Sequence, residues 1–167
     1  MVDKWIFCAL DRSLEKQSFD CGVVELNDYL HRYASQNHRK GIATTFVALA
    51  SADDLQIAGY YSVSMAEITI EILPTEFQKG LPRYPIPAMR IGRLAVDITR
   101  RGEGLGKALL MECFRRAVVL SREIGIFAIV VDATNESARD FYLKYGFITL
   151  PSLPMSLFIP LATINRQ

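Results

Sequence analysis

The chain has 167 residues, 50% of them apolar and 22% charged, with a formal net charge of +1. A chain of this length buries roughly 70% of its unfolded surface, enough for one core without disulfides or metal. Disorder, a strongly basic nucleic-acid tail and a fibrous repeat are excluded by that balance, and no apolar run reaches the ~20 residues that span a bilayer. The start, Met1-Val2-Asp3-Lys4-Trp5, lacks the basic head and long apolar stretch of a secretory signal. Cys8, Cys21 and Cys113 are odd in number and widely spaced, which fits buried thiols in a reducing compartment. His31 and His38 are too few for a histidine-rich metal centre. The expectation is a soluble, cytoplasmic chain, residues 1–167 forming a single domain with no metal and no membrane contact.

Leu26, Tyr29, Leu30, Tyr33 and Ala34 fall at helical spacing and predict one helix from Val24 to about Lys40, stopped by Gly41. Thr44 to Ala50 and Ile57 to Ser64 are rich in strand formers around the turn Ser51-Ala52-Asp53-Asp54, an antiparallel hairpin. Residues 74–87 carry four prolines and predict an irregular excursion with a short helical turn. Arg90 to Asp97 reads as a strand, Gly102 to Gly106 as a tight loop, and Leu105 onward as a long amphipathic helix ending near Gly125. Ile126 to Val131 is an unbroken apolar run, as in a strand covered on both faces. Asn135 is a cap for a short helix through Lys144, ended by Gly146. Strand-like pieces at 147–150 and 156–161 flank a proline-rich break. The order predicts a mixed sheet with helices on its faces.

Arg101-Gly102-Glu103-Gly104-Leu105-Gly106 stands between a strand and a helix start, where close backbone N–H groups and the helix dipole suit a pyrophosphate. Alone, such a loop is equally compatible with a tight turn that binds nothing. It is not a P-loop, since no Lys-Ser or Lys-Thr follows in the required place, and it is a poor dinucleotide fingerprint.

Arg101-x-x-Gly104-x-Gly106, after a strand ending Arg93-Leu94-Ala95-Val96, resembles the acetyl-CoA motif of the GNAT N-acetyltransferase superfamily. Asn135 followed by Ala138 to Phe147, with its Tyr-Gly-Phe ending, resembles that superfamily's other hallmark. The resemblance implies an α/β GNAT fold: a mixed central sheet of six to seven strands, about four flanking helices, and a splayed pair of parallel strands at the acetyl-CoA site. It gives the pantetheine arm to the main chain of Leu94, Ala95 and Val96. It gives the pyrophosphate to Arg101, Gly102, Glu103, Gly104, Leu105, Gly106 and Lys107, and places Asn135, Ala138 and Phe141 along the cofactor. Asn135, Ala138 and Tyr142 are three and four residues apart, on one helix face. A phenol with pKa around ~10 can protonate a departing thiolate within reach, which makes Tyr142 the general-acid candidate. A purely packing role for this ring is the competing reading.

Superfamily membership does not choose an acceptor. Ser18-Phe19-Asp20-Cys21-Gly22, Ile57-Ala58-Gly59-Tyr60-Tyr61 and Leu81-Pro82-Arg83-Tyr84-Pro85-Ile86-Pro87 resemble one branch, the bacterial toxins of type II toxin–antitoxin pairs that acetylate aminoacyl-tRNA. That resemblance implies a cognate ribbon-helix-helix antitoxin and a homodimer. No acidic residue occurs between Asp28 and Asp53 or between Glu76 and Asp97, although 18 are spread over the chain. Those windows hold Arg32, Arg39, Lys40, Arg83, Arg90 and Arg93, the candidates for RNA phosphates. Ordinary solvated arginines are the alternative. An aminoacyl α-amine, losing its proton near ~7.7–8.0, needs less help from a base than a lysine near ~10.4. Two other readings stay open: acetylation of a protein N-terminus or small amine, and a catalytically silent GNAT fold that binds a partner.

Overall fold

The computed structural model describes residues 4–165. Seven strands form one mixed sheet in the order β1-β2-β3-β4-β5-β7-β6: β1 (Ile6–Ala9), β2 (Thr44–Leu49), β3 (Gly59–Ile68), β4 (Ile86–Val96), β5 (Ala128–Asp132), β6 (Ile148–Leu150) and β7 (Leu153–Pro160). The chain divides into two compact units, Met1–Ser64 with Gly92–Cys113, and Met65–Ile91 with Phe114–Gln167.

In the first unit β2 pairs antiparallel with both neighbours, Ile6 facing Leu49 on one side and Thr44 facing Val63 on the other. The expected hairpin forms. Strand β1 was not expected; it is four residues long, and its place is set by pairing with β2 rather than by a local apolar pattern. The helix expected over 24–40 is broken in the middle. α1 (Val24–Asp28) passes into a π-helical turn, Tyr29–Tyr33, and then α2 (Ala34–Arg39), and the Ala34 N–H reaches back to the Tyr29 carbonyl. One extra residue in a turn bulges the helix, and here it lets Tyr29, Leu30 and Ala34 all enter the core. That core gathers them with Phe19, Val47, Leu49, Tyr60 and Ala95. The Tyr60 ring stands 5.5 Å edge-on to Phe19 and stacks on Tyr29, while its hydroxyl donates to the Leu26 carbonyl at 2.7 Å. Burial pushes this phenol well above its ordinary pKa.

Thr45 and Ser62 face each other across β2 and β3. Both are fully buried, and among the described residues neither hydroxyl has a hydrogen-bond partner. An unsatisfied buried hydroxyl costs about 1–3 kcal/mol, and an apolar isostere removes that cost. Thr45→Val is therefore expected to stabilise the protein by about 1 kcal/mol, raising Tm by about 2–4 °C in thermal unfolding. A lower Tm would contradict the account.

In the second unit β4 and β5 run parallel, from Ala88 beside Ala128 to Ile91 beside Val131, and β4 continues for five more residues. β5 pairs antiparallel with β7, which carries β6 on its other edge. β4 begins earlier than the sequence predicted and includes Pro87, whose carbonyl accepts the Phe127 N–H at 2.9 Å. Pro154 likewise lies inside β7 rather than in a break. Ile68, Leu73, Ile86, Ala88, Val130 and Phe158 form the core of one face, sealed by Phe77 edge-on to Phe158 at 5.2 Å. Phe77 belongs to α3 (Thr75–Gln78), the short helical turn expected among the prolines. α4 (Leu105–Leu120) ends before Ser121, where turns take over ahead of Gly125.

Candidate active site

The first unit carries the glycine loop. β4 ends at Val96, and Asp97 fastens that end: its N–H donates to the Ala58 carbonyl at 2.8 Å, and its carboxylate accepts from the Asp20 N–H and from the Thr99 N–H and hydroxyl. Burial works against the charged carboxylate, but these donors hold its pKa below the usual range. Gly102 and Gly104 have φ of +79° and +76°, a left-handed conformation that side chains resist, and nothing stands within 4 Å where their Cβ atoms would be. The backbone there is open to a ligand. Leu105, 1% exposed, anchors the start of α4 in the core, and the first helical bond runs from the Ala108 N–H to the Gly104 carbonyl. The N–H groups ahead of it point out of the helix end, where an anion is favoured. Gly104→Ala is expected to cost about 1–2 kcal/mol in folding stability through its left-handed φ, together with weaker acetyl-CoA binding, both measurable by thermal unfolding and calorimetry.

Two loop side chains look inward to the chain. The Arg101 guanidinium donates to the Cys21 carbonyl at 3.0 Å, and a Cβ on Gly22 would sit 2.9 Å from it. The motif arginine thus ties the loop to residues 20–22. Glu103 pairs with Lys4 and, at 4.0 Å, with Arg100; the Lys4 hydrogen bond holds its carboxyl below the usual range. Beside Arg100 lies a polar cavity of about 340 Å³, lined by Ser18, Gln56, Ala58, Asp97 and Thr99 among others. Lys107 is exposed, Leu94 and Val96 are half-buried, and Ala95 is buried.

The second unit carries the tyrosine helix, α5 (Glu136–Lys144). The Asn135 side-chain oxygen accepts the Ala138 N–H at 2.8 Å, capping the helix as expected. The amide NH₂ and the oxygen's second lone pair remain able to meet a ligand. Tyr142 is 6% exposed. Its ring is held edge-on between Phe141 and Phe147, both at 5.2 Å, and Phe114 stands 5.9 Å behind Phe147. The Tyr142 carbonyl also accepts the N–H groups of Tyr145 and Phe147. The phenol is fixed in place by packing on both sides.

The basic candidates separate by environment. Arg32, Arg39, Lys40 and Arg83 are exposed. Arg93 lies 3.6 Å over the Tyr29 ring, and Arg90 pairs with Asp132 at 2.8 Å. The sequence reading missed two polar groupings. Ser156 donates to the other Asp132 oxygen at 2.6 Å, so three strands meet at one carboxylate. The buried Glu112 accepts the Tyr61 hydroxyl; its one sequence signal is an acid within the apolar stripe of α4.

A family profile described as acetyltransferase (GNAT) domain matches residues 43–149. A tRNA-acetylating toxin of Mycobacterium tuberculosis is 33% identical over 142 residues, covering 85% of this chain and 83% of the relative. The structure of AtaT complexed with acetyl-methionyl-tRNAfMet superposes with a TM-score of 0.91 at 30% identity, covering 97% of this chain and 98% of that one. A mutant AtaT toxin bound to the C-terminus of the antitoxin AtaR and acetyl-CoA gives 0.84 at 28% identity, over 98% of each chain. This chain belongs to the GNAT acetyltransferase family. Its seven-stranded mixed sheet has the architecture that the resemblance implied.

Proposed function

We propose that this chain is a toxin that transfers the acetyl group of acetyl-CoA to the α-amino group of aminoacyl-tRNA, blocking translation in the cytoplasm until a ribbon-helix-helix antitoxin neutralises it. The observation that carries the reading is similarity to a tRNA-acetylating toxin across most of both chains. The bound states of AtaT, with acetylated methionyl-tRNA and with antitoxin and acetyl-CoA, point the same way.

In this reading Gly102 to Lys107 hold the pyrophosphate through main-chain N–H groups at the start of α4. Leu94, Ala95 and Val96 offer main-chain partners to the pantetheine arm, and Asn135, Ala138 and Phe141 border the cofactor. Arg101 acts through the chain, holding residues 20–22 against the loop. The amine nitrogen attacks the thioester carbonyl, the C–N bond forms, and the C–S bond breaks. The nitrogen loses a proton to solvent, and Tyr142 gives its phenolic proton to the departing thiolate before being reprotonated from water. The exposed Arg32, Arg39, Lys40 and Arg83 meet tRNA phosphates.

Incubation with labelled acetyl-CoA and total charged tRNA tests the assignment. Label is expected in the tRNA fraction, released by mild alkali as N-acetyl amino acids. Label found only in protein or small amines would overturn it.

A further inference from the structure

On the face of the second unit formed by β4, β5 and β7 lies a cavity of about 90 Å³. Its walls include Ile68, Val130, Leu150 and Leu157, all buried, with the half-exposed Leu153 at the rim. The polar part of the lining is the exposed Glu67 of β3 and a hydrogen-bonded trio from three strands: Arg90, Asp132 and Ser156. Arg90 and Asp132 sit at the end of the parallel ladder, whose last pair is Ile91 with Val131. The cavity therefore opens where β4 and β5 stop pairing.

The Asp132 side chain keeps 66% of its surface exposed although both oxygens are held, Oδ2 by Arg90 and Oδ1 by Ser156. Two strand-borne donors fix the direction of the carboxylate, and each oxygen retains a further lone pair. A fixed carboxylate beside a small apolar cavity is complementary to an amino group whose carbon carries an aliphatic substituent. At about 90 Å³ the cavity is small and holds a few heavy atoms. That is the scale of a valine, leucine, isoleucine or methionine side chain. A ring needs more space, and a charged group seated among Val130, Leu150 and Leu157 would lose its water.

We infer that this cavity takes the aliphatic side chain of the acceptor's amino acid, while Asp132 accepts a hydrogen bond from its α-amino group. The inference rests on the aminoacyl-tRNA reading above and makes this surface the selector among charged tRNAs. Asp132 binds and orients the amine; Arg90 and Ser156 are positioning residues.

The test uses the purified full chain, labelled acetyl-CoA and tRNA charged with all natural amino acids, with the released N-acetyl amino acids identified by mass. Acetylated valine, leucine, isoleucine or methionine as the main products is the expected result. Glycine, charged or aromatic products in the majority would overturn the cavity assignment while leaving tRNA as acceptor. No label in tRNA would overturn both. Leu153→Trp, at the exposed rim, is expected to lower kcat/KM for the preferred aliphatic acceptor by about 10–100-fold, with alanyl-tRNA much less affected. Asp132→Asn is expected to lower kcat/KM for aliphatic acceptors by a similar factor at unchanged acetyl-CoA affinity, with partial recovery in Asp132→Glu. Wild-type kcat/KM and product spectrum in both Leu153→Trp and Asp132→Asn would refute the assignment.

Discussion

Tyr142→Phe is expected to slow acetyl transfer by about 10²–10⁴-fold, the range for losing a positioned general acid, with acetyl-CoA affinity retained. The substitution removes one oxygen and keeps the ring, so the packing against Phe141 and Phe147 survives. Turnover on charged tRNA, calorimetric titration with acetyl-CoA and a growth assay together separate the chemistry from folding. Cells expressing the variant are expected to grow, and its Tm is expected to stay within a few degrees of wild type. Wild-type turnover would exclude the phenol as the proton donor.

The second large effect is electrostatic. Reversing Arg32, Arg39 and Lys40 together to glutamate is expected to lower kcat/KM for tRNA by about 10–100-fold. It is also expected to reduce the salt dependence of log K by about two units, at roughly 0.7–0.9 for each phosphate no longer neutralised. These three are exposed on α2 and its flanks. Arg90 and Arg93 are unsuited to the experiment. Reversing Arg93 would set a carboxylate against the Tyr29 ring, and reversing Arg90 would set one against Asp132. An unchanged salt slope would show that tRNA meets another surface.

Features carried by neighbours in sequence were legible before the structure. The 44–64 hairpin, the Asn135 cap and the glycine loop each depend on a few adjacent residues whose chemistry dictates the backbone. Features that depend on distant partners were not. The Arg101 hydrogen bond to Cys21, 80 residues away, has no signal in the motif itself. Asp132 and Ser156 meet only because β5 and β7 pair in that register. The Arg90–Asp132 pair joins residues 42 positions apart, and Asp132 lies outside the acid-free window that holds Arg90. Windows of sequence count charges without seeing which are already spoken for.

The π turn at Tyr29–Tyr33 makes length itself a specified quantity in this segment. Drawing this turn into regular α-helix at the same chain length would rotate everything after it by about 100° about the axis. Ala34, now fully buried, would swing out of the core, and the exposed cations Arg39 and Lys40 would be redirected with it. Substitutions here are graded by size and polarity, whereas loss of the bulge at full length re-aims a whole charged surface at once. Homologous chains that retain this surface are expected to carry either the bulge or one residue fewer between Asp28 and Gly41.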